Sequence, residues 1–528
     1  VSENYVICEA VDSLSTAYAL PDSPYRANIT MRFSPGTFAG DATLIGKTAG
    51  ENKAITVQGD NLAGGGGTIL SGDITVYDTV TLAGGTNYKL KFSGTVVIKG
   101  GAIVTGNYCD FLKRLETRGN ASCSWSNTLT TSPAKLYRYD NAINSFNTCT
   151  ITFGNDPGAY TAVSSTITKG YTMYAASATY GGSDATGDGL QMYSGTATST
   201  TGNKLVDSAA NFGTDVVNKT LYNSTDNTWA KVTARDSATQ LSISANIMVS
   251  GEAYIISNAF ATVQKVVDAI PGTVNCDTTL QISGESYAEA VNVWGKNFSG
   301  SFSITLQGSR SFTDLGTASS GANPVGNGSA GYGTLTDTTK AWGVNAYQNL
   351  WVEITGGTGS GQIRPIHLNT ATVLTIVGRW DTIPDGTSTY KIFSLATTID
   401  GTALTHCVKI KNGQQGINLQ YLKMLNASNI LEPSGGSSWS LMYCHIQGGA
   451  WGVNASGGSS GSIYACVSRL NSLGDIIMDR AATVSQVKRC RFTGSSTRSI
   501  HVAAAAVMYD LTETYIGVEE YCPISPPS

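Results

Sequence analysis

Three cysteines near the end of the chain, Cys444, Cys466 and Cys490, recur at intervals of 22 and 24 residues. Each sits in a short apolar stretch: LMYCHIQGG, GSIYACVSRL and SQVKRCRFTG. Three chemistries suit a repeated thiol. Stacked cysteines could close disulfides, because neighbouring strands bring Cα atoms within bridging range. They could hold a metal, but metal sites draw ligands from several directions, and a one-sided ladder with His445 pointing away from Cys444 does not supply them. They could also be packing, since cysteine behaves as a small apolar residue whose weak S–H needs no strong partner. Packing is the reading adopted.

The acidic candidates are Asp475, Asp479, Asp510 and Glu513, with Arg480, Arg489 and Arg491 nearby. Paired carboxylates about 5 to 9.5 Å apart across a cleft would mark glycoside hydrolysis. Nothing in the spacing demands that approach, and the group reads as solvated charges on a flank. The histidines are His367, His406, His445 and His501, and none lies beside a Gly-x-Ser-x-Gly turn, so Ser-His-Asp chemistry is not supported. Asp184 and Asp188 in GGSDATGDG could hold Ca²⁺, but a flexible Gly/Asp loop is preferred. GDNLAGGGGTILSG leads into strands, not a helix, and reads as a turn instead of a phosphate loop. No catalytic residue, cofactor or metal is assigned, and the chain is read as non-enzymatic.

The elements that must position these residues are strands. Charged residues are 13% of 528, with 60 glycines, and short Val/Ile/Thr/Tyr runs bounded by Gly, Asn, Asp and Ser fill the chain. A net charge of −4 without a basic stripe argues against a nucleic-acid partner. No apolar run reaches the ~20 residues of a membrane helix. The chain opens at Val1, which reads as a removed leader or as a start that is not the genetic one. Ten cysteines are an ordinary density, with Cys109 and Cys123 a plausible local pair.

Three internal repeats set the organisation. GTFAGDATLIGK (36–47) aligns with ESYAEAVNVWGK (285–296), and ITVQG (55–59) with ITLQG (304–308), both at an offset of 249. EAVDSL (9–14) resembles KVVDAI (265–270), so each half is expected to open with a short amphipathic helix, near 6–14 and 261–270. A module of ~60 residues also recurs: KLVDSAANF (204–212) matches TLTDTTKAW (334–342) at an offset of 130. Finally, the pattern apolar-x-x-Cys-x-y extends back to Leu419/Leu422/Met424 and forward to Leu511/Thr514/Ile516. A second strand recurs through Leu431, Val453, Ile477 and Ile500. A period of 22 to 24 residues with short strands and Gly/Ser turns predicts coils of a parallel β-solenoid, with Leu422, Cys444, Cys466 and Cys490 in one inward column ~4.8 Å apart.

On ATVQKVVDAIPG through SITLQG (261–308), the chain resembles right-handed parallel β-helix proteins of the pectin-lyase-like superfamily, found in phage tailspikes and fibres and in secreted surface proteins. The resemblance is to a capping helix, an I-x-x-G-x-Y-x-E-x-V strand pair and a strand ending in I-x-G. It implies an all-β fold: right-handed β-helix segments with inserted small antiparallel β-domains and short capping helices. The expected divisions are a first β-helix half (1–105), a Gly/Tyr-rich β region (106–196), a small module (197–257), a capping helix with opening strands (258–311), a second module (312–395), Cys-ladder coils (396–518) and a tail (519–528). The function expected is that of a self-assembling structural or attachment component of a virion. The alternatives are a secreted bacterial or archaeal surface protein forming a filament, sheath or adhesin, and a polysaccharide-degrading β-helix enzyme. Expected partners are further copies of the chain and a cell-surface glycan or receptor, with no nucleic acid and no membrane insertion. The expected location is the virion or the cell surface.

Overall fold

The computed structural model describes residues 4–7, 14, 28–45, 55–59, 68–77, 79–85, 89–100, 102–112, 114–118, 120–130, 135–138, 142–155, 160–324, 331–411, 413–493, 498–503 and 505–517. They form stacked parallel coils with two antiparallel inserts, in two compact units, 1–171 and 172–528. No helix among the described residues is long and apolar enough to cross a membrane.

In the first unit the described coils build three parallel sheets, of eight, seven and five strands. Strands such as Ile55–Gln58 and Ile74–Val76 alternate buried and half-buried residues, as a sheet with one covered face requires. Like residues stack in register. Ile29, Ile55, Val80, Val104 and Cys123 make one inward column, and Met31, Val57 and Leu82 start another. At Gly106 that second column has no side chain, and a Cβ there would fall 2.2 Å from the Trp125 ring in the next coil. Cys123 therefore lies mid-column, whereas Cys109 lies at a corner and donates toward Leu82 O; both are free thiols, not the pair expected.

The ladder does not stop at 105. Strand Ile103–Asn107 spans that position, and coils continue to Thr166–Thr168. Here the corners fall at Tyr108, Asn127, Thr148 and Ser164, spaced 19, 21 and 16 residues apart, so the 22-to-24 period hides them. At the start of the chain, Asn4–Ile7 is a strand paired with Asn28–Arg32, not part of the helix expected near 6–14; residues 8–13, like the tail 519–528, lie outside the described residues.

The second unit repeats the scheme. The 249 offset holds in three dimensions: Ile29 pairs with Ile55 as Thr278 pairs with Ile304, and Met31 with Val57 as Leu280 with Leu306. From Ile304–Gln307 the chain leaves for an insert and returns at Thr398–Asp400, after which coils stack to Tyr515–Gly517. The two inserts share one strand order, the second with an added edge strand. The first insert begins with strand Gln191–Thr196, ahead of the expected 197, and the second spans Arg310–Thr317 to Thr389–Leu395. Each is pinned by the same buried pair, Tyr254 donating to Asp207 at 2.8 Å and Tyr390 to Asp337 at 2.7 Å.

The cysteine column is as read. Leu422, Cys444, Cys466 and Cys490 are fully buried, and the thiols are free, not bridged. Leu419, Leu441, Ile463, Val487 and Leu511 stack alongside. In the other column the partner of Val453 and Ile500 is Ile476, not Ile477. Strand register places Trp451 opposite Gly474, and Ile477 faces outward, because a slip of one residue exchanges faces.

The corner explains the cysteine. Just before it, one residue takes a left-handed φ: 55° at Tyr421, 56° at Tyr443, 51° at Ala465, 59° at Arg489 and 48° at Glu513. That residue swings the chain from one sheet to the next and leaves carbonyls inside the bend. Each thiol reaches two of them: Cys444 Sγ lies 3.3 Å from Met442 O and 3.6 Å from Leu419 O of the coil before, and Cys466 lies 3.3 Å from Tyr464 O and 3.5 Å from Leu441 O. Thr514 does the same with a hydroxyl, 3.0 Å from Thr512 O and 3.4 Å from Val487 O. The first unit uses Cys109, Thr128, Cys149 and Ser165 at its corners. Most of these corners hold a small side chain with one donor, and Leu422, after Tyr421, is the exception that fills the position with an apolar side chain. Cys466→Thr should therefore change stability by less than about 1 kcal/mol, whereas Cys466→Ala, which removes the donor and leaves a void, should cost roughly 1 to 2 kcal/mol in urea unfolding. Alanine tolerated better than threonine would refute this reading.

Candidate functional site

The left-handed corner residues of the second unit project outward and carry the second insert. Tyr421 and Tyr443 stack with centroids 5.3 Å apart and planes 10° apart. Arg310 lies over the rings of Tyr421 and Phe393 at 4.8 and 5.1 Å. Trp351 Nε1 donates to Ala465 O at 2.8 Å. The next corner, Arg489, is 3% exposed. Its guanidinium donates to Asp381 Oδ1 at 2.5 Å, to Tyr464 Oη at 2.7 Å and to Glu513 of the following corner. Asp381 also accepts from the buried Arg364 at 2.9 Å. Hydrogen bonds from Arg489 hold the Asp381 carboxyl down at about 2. Arg491 closes the seam through Asn349 and His367 Nδ1. The first insert docks by a stacked Tyr222–Trp229 pair, with Trp229 Nε1 donating to Ser309 Oγ at 2.9 Å.

The flank reading of the charged group therefore holds only in part. Arg489, Arg491 and Glu513 come together, joined by Asp381, Arg364 and His367 from a segment over 100 residues away, which sequence spacing had no means to reveal. Asp475 is fully buried inside a coil, where its Oδ1 accepts from Ser468 Oγ at 2.6 Å and Asn471 Nδ2 at 3.0 Å. Ser468 occupies a position that is Met424, Ile446 and Phe492 in neighbouring coils, so the network replaces an apolar layer. Asp479 accepts from Arg480 N at 2.7 Å and pairs locally with the exposed Arg480 guanidinium at 3.6 Å, and Asp510 accepts from Gln486. These carboxylates do not converge on a cleft.

The other candidates are structural as well. Asp184 accepts from the backbone of Ala261 and Thr262 and from Thr262 Oγ1, at the start of the helix α1, Val263–Ala269. Asp188 accepts from Leu190 N within its own loop. Among the described residues no group of three or more His, Cys, Asp or Glu is arranged to hold a metal. The glutamate of the resemblance motif, Glu289, receives the N–H groups of Val263 and Gln264 at 2.8 and 2.9 Å, and its tyrosine, Tyr287, is buried against Ser283. The motif thus fastens α1 to the coil, because orphan N–H groups at a helix start favour a carboxylate. In the first half Gly40 stands where Glu289 would be.

His406 lies between Thr405 and Asn292, and His501 lies 6.3 Å from Trp451. His445 is half-buried, stacked over Lys423. Burial, with Lys423 and Arg469 adding to it, pushes its imidazole down to about 3. Burial also raises the thiols of Cys466 and Cys490 well above their ordinary value, which removes thiolate chemistry at neutral pH.

A cleft of about 310 Å³ lies between the two inserts. The Ser224–Asn227 turn of the first insert forms one wall, and Arg310, Phe312, Glu353 and Lys391 of the second form the other. Arg310 is committed to Glu353 at 2.7 Å and to the aromatic rings beneath it. Lys391 is half-buried, its Nζ 4.4 Å from the Phe312 centroid, and it makes no ion pair with any described carboxylate.

Two outcomes test this site. Arg489→Met removes three charge-assisted contacts and should cost roughly 2 to 3 kcal/mol. In hydrogen exchange the loss should appear as faster opening of 312–395 than of the coils. Between about pH 6.5 and 3 the unfolded chain binds a proton at His445 that the folded chain refuses, so acidification through that window costs stability. His445→Gln should flatten the dependence by up to about 1.4 kcal/mol per pH unit, read from urea midpoints. No family model, curated protein or solved structure matches the chain.

Proposed function

We propose that the chain is a non-enzymatic structural and attachment protein, a self-assembling β-solenoid component of a virion such as a tail spike, tail fibre or capsid-attached fibre. One observation carries the non-enzymatic part. Of the charged residues singled out in the sequence, Arg489, Arg491 and Glu513 are spent at the seam, Asp475 is held inside a coil, and Asp479 and Asp510 make local contacts. A coil stack built from in-register columns is stiff along its axis, and it carries two copies of one antiparallel insert as side modules. Rigid support with appended modules suits attachment. The virion assignment rests on the resemblance of the 261–308 segment, and the same features suit a secreted protein that polymerises on a bacterial or archaeal surface.

Cryo-electron microscopy of the native assembly separates these readings. A closed oligomer seated on a capsid or tail is the expected result. An open filament or lattice on a cell surface would move the protein to the second role. A monomer at all concentrations would overturn self-assembly.

A further inference from the structure

We propose that the cleft between the two inserts binds a chain-terminal sugar acid, with Lys391 taking its carboxylate. This deepens the attachment reading and rests on it. The argument is an inventory of donors and acceptors left open around one small volume. Lys391 stands across the strand pair from Glu353 with its Nζ over Phe312 and makes no ion pair with any described carboxylate, whereas Arg310 is bonded to Glu353. Of the Glu353 carboxylate, Oε2 receives Arg310, leaving Oε1 to accept from a ligand hydroxyl. Across the cleft, the Asn227 carbonyl oxygen accepts from Tyr222 Oη at 2.9 Å, which turns its amide N–H₂ free to donate. Thr225 Oγ1 accepts from Ala253 N at 3.0 Å, so its own proton is free.

A cation, an open carboxylate oxygen and neutral donors on the opposite wall match a ligand that is both a carboxylate and a polyol. A simple anion would leave Glu353 facing negative charge. A neutral sugar would leave Lys391 with only the Phe312 ring and no direct ion pair. The volume, about 310 Å³, lies at the small end of ligand pockets and suits one terminal residue, not a run of polysaccharide. Both walls come from inserts, so the site depends on the docking of each module and not on the solenoid faces.

The test uses the full chain and four probes: the methyl glycosides of N-acetylneuraminic acid and glucuronic acid, and the carboxyl-reduced form of each. Binding is followed by calorimetry and by ligand-observed NMR. The expected result is that at least one acid binds ten- to a hundredfold tighter than its reduced form, the range for one charge-assisted contact. Lys391→Met, which keeps the stem over Phe312, should abolish that preference, and Lys391→Arg should retain it. No preference for either acid, or a preference that survives Lys391→Met, overturns the proposal. The comparison of probes on the unaltered protein stands even if a variant misfolds. The recovered glycosides separate this proposal from the reading beneath it. Cleaved probe would overturn the non-enzymatic function and leave the site in place, while intact probe without acid preference would overturn the site alone.

Discussion

The structure depends on the cost of turning a strand through a sharp corner without stranding its carbonyls. A single left-handed residue makes the turn, and the next side chain points inward and, except at Leu422, is small and carries a donor. Cysteine, threonine and serine meet both conditions, and they alternate at the corners of both units. Because the left-handed turn recurs from coil to coil, the strands beyond it fall into register, and apolar columns such as Leu419–Leu441–Ile463–Val487 follow. Burying each such side chain is worth about 1.5 to 3 kcal/mol, so the corner chemistry sets the geometry and the columns supply most of the stability.

The same corner has an outward consequence. The left-handed residue cannot point into the coil, so its side chain is presented on an edge running the length of the stack. In the second unit that edge carries Tyr421, Tyr443, Arg489 and Glu513, and the second insert binds it through Arg310 over the Tyr421 ring and the ion pair of the buried Arg489 with Asp381. Non-glycine residues with positive φ are uncommon and mildly strained, and the contacts they make here offset that cost. At another corner Gly435–Gly436 and Gly457–Gly458 turn without strain, while Arg480 and Ala481 do the same work in the next coil.

The repeats were legible where period and residue type agreed. Cys444, Cys466 and Cys490 announce their corner, and the 249-residue duplication and the two inserts can be read by alignment alone. The first unit's corners were not legible, since their spacing contracts and cysteine alternates with threonine and serine. Ile477 was taken for Ile476 because two adjacent isoleucines look alike to a periodicity argument. The seam was beyond reach for a different reason. Arg489 and Asp381 are 108 residues apart, and an arginine destined to be buried against a distant carboxylate has no local signature that separates it from a solvated one. Asp475 shows the converse, a charge buried inside a coil because Ser468 and Asn471 are there to receive it.

A side-chain-resolution cryo-electron microscopy map of residues 417–517 tests the central claim most directly. The corner account requires the sulfurs of Cys444, Cys466 and Cys490 on one line, ~4.8 Å apart from coil to coil, unbridged, with the tyrosine, alanine or arginine before each directed outward. Thiols distributed over different faces, or joined in a disulfide, would contradict it.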